Sequence, residues 1–115
     1  MSDRSVLRSN PTTLILIILR DGASHGYDIA REVGRRSDGA FSLPYGTLYT
    51  YLRALEKEGL VQSVWERPPG ELERRVYQLT DRGTEAAEAA LNSWTSFAEA
   101  MDKVIRRRRP QERSA

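Results

Sequence analysis

Apolar residues first gather in Leu14–Leu19, LILIIL, downstream of Pro11 and ended by Arg20, Asp21 and Gly22. Pro11 suits the first turn of a helix and Gly22 its stop, so the pattern predicts a short helix from residue 11 or 12. Being apolar nearly all round, it should be buried on more than one side. In HGYDIAREVGRRSD, Ile29 and Val33 share one face and Arg31, Arg35 and Arg36 lie away from it, predicting a second helix capped by Ser24. In SLPYGTLYTYLRALEKEG, Leu48, Leu52 and Leu55 recur at i, i+4 and i+7, predicting a third helix that starts near Ser42 and Pro44 and is capped by Gly59.

The period then changes. Leu60–Arg67 and Arg74–Leu79 are short β-rich runs separated by PPGELE, which predicts a hairpin with a long loop. Thr80 caps a final long helix, with Asp81 near its positive end. Helix, helix, helix, hairpin, helix is a mainly α chain with a small β-hairpin. It is the order of a winged helix-turn-helix carrying an extra long C-terminal helix. The expected division is a winged helix-turn-helix over residues 1–80, a C-terminal dimerisation helix over 81–105, and a basic, disordered tail over 106–115.

The third helix has an unusual outward side. At 100° per residue the three leucines fall within about 60° of one another, and Thr47, Thr50, Arg53 and Lys57 point broadly away. Tyr49 flanks them and Tyr51 borders the core. A merely solvated face would favour Glu, Lys and Gln, because Thr, Tyr and Gly are poorer helix formers. Short hydroxyls and Gly46 let a helix N-terminus come close to a DNA groove, where arginine can read guanine and threonine a thymine methyl or a phosphate. Ser42, Tyr45, Thr47, Tyr49, Thr50, Arg53 and Lys57 are therefore the candidate DNA contacts, against a bland alternative in which the tyrosines pack on neighbours. Arg67, Arg74 and Arg75 flank the hairpin loop as candidate phosphate contacts. Glu66, Glu71 and Glu73 are interspersed, leaving open that these arginines only pair with acidic neighbours.

In the last helix Ala87, Leu91, Trp94, Ala98, Met101 and Ile105 step by four and three, and Ala90, Phe97 and Val104 form a second row. Part of this wide stripe suits the first helix of the same chain. The rest suits a partner helix, with Leu91, Trp94, Ala98, Met101 and Ile105 at the dimer interface.

Charge and composition narrow the classes. The net charge is +2, but the last ten residues hold five arginines and one glutamate, leaving thirteen basic and fifteen acidic side chains in residues 1–105. Global charge does not argue for nucleic acid, so any DNA-facing surface must be local. The same modest charge sustains a rival class, a winged-helix protein-interaction module with weak or no specific DNA binding. There is no cysteine and one histidine, His25, at a helix start where local hydrogen bonding is its ordinary role. Thiolate chemistry is excluded, and no triad, metal cluster or glycine-rich phosphate loop is legible, so neither an enzyme nor a cofactor is expected. LILIIL is far too short to span a membrane and MSDRSVLRSNP lacks a signal-peptide core, which predicts a cytoplasmic protein.

The segments HGYDIAREV, GTLYTYLRALEKEGL and VYQLTDRG, in this order and spacing, resemble the PadR-like transcriptional regulators, in their compact branch with one C-terminal helix. The resemblance spans residues 11–105. It implies a homodimeric winged helix that binds inverted-repeat, double-stranded DNA operators, usually as a repressor released by a small molecule or a stress signal. The GTLY helix would be the reader and the last helix the dimer contact. Trp94 matches the position at which multidrug-responsive members stack flat aromatic drugs, so Trp94 and Phe97 are candidate ligand residues, against a plain core role. Some relatives carry an acidic residue one turn later, where this chain has Ala98, which weakens any preference for cationic drugs.

Overall fold

The computed structural model describes residues 11–110. The outermost residues of the expected first domain, 1–10, and of the basic tail, 111–115, lie outside the described part. Helices α1 (Pro11–Arg20), α2 (Gly26–Arg36) and α3 (Tyr45–Lys57) precede strands β2 (Val61–Glu66) and β3 (Arg74–Leu79), and α4 runs over Asp81–Arg106. A two-residue strand β1, Ser24–His25, precedes α2. The architecture is a winged helix with a long C-terminal helix.

The sequence predicts a two-stranded hairpin, whereas the sheet has three strands in the order β1-β3-β2, all antiparallel. Ser24 consequently does not cap α2. It pairs with Tyr77, and the N-cap position falls to His25, which makes no side-chain capping bond. His25 instead places Nδ1 3.2 Å from Asp28 Oδ2, the local contact expected of it.

One core draws on all four helices and on strands β2 and β3. Ile15, Ile29, Leu48 and Leu52 are its largest fully buried side chains, one or two from each of the first three helices. Each such burial contributes roughly 1.5–3 kcal/mol. As its all-round apolarity implied, α1 touches α2, α3, β3 and α4.

The end of α3 and the start of α4 are bolted together. Gly59, at φ 78°, terminates α3, with its own N–H and that of Leu60 donating to the carbonyls of Glu56 and Leu55. Thr80 caps α4 by accepting from the Gly83 amide at 3.0 Å, and its hydroxyl donates to the Gly59 carbonyl at 2.7 Å. Gly83 then passes so close that a β-carbon there would meet the Leu60 carbonyl oxygen at 1.8 Å. Only a bare α-carbon admits this approach.

Beyond its first three turns α4 leaves the core. Gly83 and Ala87 are its buried residues, Leu91 is half-buried, and every residue from Asn92 onward is exposed.

Candidate nucleic-acid interface

Helix α3 divides its surface as its leucine stripe requires. Leu48, Leu52 and Leu55 are buried, whereas Tyr45, Gly46, Thr47, Tyr49, Thr50, Arg53 and Lys57 are exposed. Tyr51, on the border, packs partly buried against the core. No acidic residue stands in the first turn of α3. A β-carbon at Gly46 would meet nothing within 4 Å, so the helix presents bare backbone there. The Thr50 hydroxyl donates to the Gly46 carbonyl at 2.9 Å, which leaves its oxygen still able to accept. Ser42 lies exposed in the approach to the helix.

Two of the candidate tyrosines have protein neighbours as well as exposure. Tyr45 stacks on Tyr27 of α2, with ring centroids 5.4 Å apart and planes at 25°, and the Arg31 guanidinium covers the other ring at 5.6 Å. Desolvation first, then the Tyr27 hydroxyl, pushes the Tyr45 phenol up from its ordinary value. Tyr49 lies across Gly26 at the start of α2. Tyr27 and Arg31 were not among the candidates, although Arg31 already lay off the buried stripe. A signal existed, since they form an i, i+4 aromatic–cation pair off the Ile29/Val33 stripe.

The other arginines of α2 are occupied. Arg35 and Arg36 both bond Glu32, and Arg36 also reaches Asp21 at 2.7 Å. Those hydrogen bonds, from Arg35 first and Arg36 next, hold the Glu32 carboxyl down to about 2.

The wing sorts its arginines unequally. None of the ion pairs among the described residues includes Arg53, Lys57, Arg67 or Arg74, all exposed. Arg75 is different: it donates to Ser63 at 2.8 Å and lies over the rings of Trp65 and Tyr77. Arg74 stands opposite Glu66 in the register, on the face away from Arg75.

A separate recess of about 290 Å³ lies between α1 and α4, lined by Thr13, Ala90, Ser93, Trp94 and Phe97. It brings the two candidate ligand residues together, with ring centroids 5.6 Å apart. The candidate dimer residues Ala98, Met101 and Ile105 line up as an exposed row further along α4. Among the described residues no group of three or more His, Asp or Glu side chains could hold a metal ion, and no helix is long and apolar enough to cross a membrane.

Comparison with known proteins places this geometry. A transcriptional regulator from Clostridium thermocellum is 27% identical, with a TM-score of 0.75 over 86% of this chain and 93% of its own. A PadR-like transcriptional regulator from Bacillus cereus superposes with a TM-score of 0.78 at 21% identity, over 90% of this chain and 99% of that one. PadR of Bacillus subtilis, solved in complex with operator DNA, gives 0.61 at 24% identity, over 90% of this chain but only 51% of the longer one. At those last two identities the likeness is one of fold. The profile of the transcriptional regulator PadR-like family matches residues 15–89, from α1 through the wing to the first turns of α4. That span is well over half the chain and contains both the buried leucine stripe and the exposed threonines of α3, so the chain belongs to the PadR-like family of transcriptional regulators.

Proposed function

We propose that this protein is a DNA-binding repressor that acts as a homodimer on a pseudo-palindromic operator and releases it in response to an effector. The observation that carries this reading is the two-sided α3. Its leucines anchor it in the core, while Gly46, Thr47, Thr50, Arg53 and Lys57 are exposed along a helix with no acidic residue in its first turn. Arg53 suits a guanine, Thr47 and Thr50 a thymine methyl or a phosphate, and Arg67 and Arg74 the flanking backbone. The operator complex of Bacillus subtilis PadR supports DNA as the partner class.

The exposed row of Trp94, Phe97, Met101 and Ile105 supports a second copy as the cover for α4. A two-fold pair would set the two reading helices about 34 Å apart, one turn of DNA. The recess at Trp94 and Phe97 supports a flat aromatic effector at that junction.

Selection of bound fragments from random DNA tests the reading. Enrichment of an inverted repeat, lost in Arg53→Ala, is the expected result; no enriched sequence overturns it. The rival, a protein-interaction module, draws on the exposed Val64, Trp65 and Leu72 of the wing. It predicts a shallow dependence of DNA binding on salt, whereas a DNA reader gives a steep one.

A further inference from the structure

Arg75 connects three elements. It sits on β3 opposite Trp65 of β2. Its Nε donates to the Ser63 hydroxyl at 2.8 Å, and that hydroxyl donates onward to Glu56 Oε2 of α3, also at 2.8 Å. The same carboxylate oxygen lies 3.6 Å from Arg75 Nη2. The guanidinium carbon lies over the Trp65 ring, 5.6 Å from its centroid, and over the Tyr77 ring, 5.9 Å from its centroid. The Nε edge and the stacking surface of the guanidinium are thus engaged by protein groups, while the side chain as a whole stays partly exposed.

We propose that Arg75 is a positioning residue that clasps the wing to α3, setting the angle between the two, and that it does not itself contact phosphate. The proposal rests on α3 being the DNA-reading helix. Without Arg75 the two strands remain paired and Ser63 can still donate to Glu56, but that bond loses the guanidinium that holds the Ser63 hydroxyl and lies beside the same carboxylate. Arginine is needed because its planar fork can hold Ser63 through Nε while stacking on two rings. A lysine keeps the charge, but its single ammonium cannot hold Ser63 and lie over both rings at once.

That difference separates positioning from contact. Operator affinity and its salt dependence are measured for the parent, Arg75→Lys, Arg75→Gln, Ser63→Ala and the Arg75→Lys/Ser63→Ala pair. A clasp predicts a loss of about tenfold for each single variant, no further loss in the double variant, and an unchanged log–log salt slope. Parent-like binding by Arg75→Lys, additive losses, or a slope smaller by about 0.9 in Arg75→Gln marks a phosphate contact and overturns the proposal. Hydrogen exchange without DNA provides an independent readout. Arg75→Lys should speed exchange severalfold in Ser63–Glu66 and Arg74–Tyr77 while α1 is unaffected, and unaltered wing exchange refutes the clasp. If the parent selects no DNA at all, the assignment of α3 fails and the exchange comparison still decides the clasp.

Discussion

The phenol of Tyr49 lies across the α-carbon of Gly26: a β-carbon there would stand 2.6 Å from the Tyr49 hydroxyl oxygen and 2.9 Å from its ring. A residue of the candidate DNA face thus also sets how closely α2 approaches α3. Gly26→Ala should cost about 1–3 kcal/mol of stability by overpacking. Because the obstacle is a side chain, Tyr49→Ser should make the same change nearly neutral, and urea unfolding of the four proteins in this cycle measures the coupling.

Gly83 faces a harder obstacle, the backbone carbonyl of Leu60. Gly83→Ala should cost about 3 kcal/mol or more, since neither α4 nor the β2 approach can yield without moving the Thr80 cap. No second-site side-chain truncation should rescue it. A thermal melt of the variant with and without Leu79→Ala checks this.

Arg53 is exposed and outside every ion pair among the described residues. If it reads a base, Arg53→Ala should lower operator affinity by about 1–3 kcal/mol and relax the preference at one position of each half-site. An equal loss on random DNA would make it a phosphate contact instead.

Glu32 makes stability depend on acidity. Its folded-state value of about 2 lies below the ordinary 4.5, so its pairing with Arg35 and Arg36 contributes fully above about 4.5 and is lost as pH falls toward 2. The group is solvent-screened, so the contribution is small. The gap between the urea midpoints of the parent and Glu32→Gln should narrow as pH falls below about 4.5 and close only at about pH 2.

Met101 and Ile105 are 44% and 71% exposed in the single chain. If a second copy covers this face, Met101→Glu and Ile105→Glu should leave the fold intact and raise the dimer dissociation constant by at least about tenfold, read by sedimentation. Unchanged mass across the concentration range would show that this face of α4 is not the interface.

Local pattern carried much of the fold. The leucine spacing placed α3, Thr80 and Gly59 marked where helices begin and end, and the change from a period near four to two exposed the hairpin. β1 was not legible, because two residues have no period and Ser24 reads locally as a helix cap. Its strand character comes from Val76 and Tyr77, some fifty residues away, completing hydrogen bonds with it. The candidate interface divides the same way. The outward side of α3 follows from helical geometry alone, whereas Tyr27 beside Tyr45 depends on how two helices cross.

The three wing arginines look equivalent along the chain. The strand register separates them, turning Arg75 toward Trp65, Tyr77 and the Glu56 carboxylate and Arg74 to the opposite face. Which residues form helices, and which side of each seeks the core, is governed by neighbours within a turn or two, and the sequence determines it unaided. Which charges face solvent, which aromatics stack and where α4 quits the core depend on distant segments meeting, and only tertiary packing decides them.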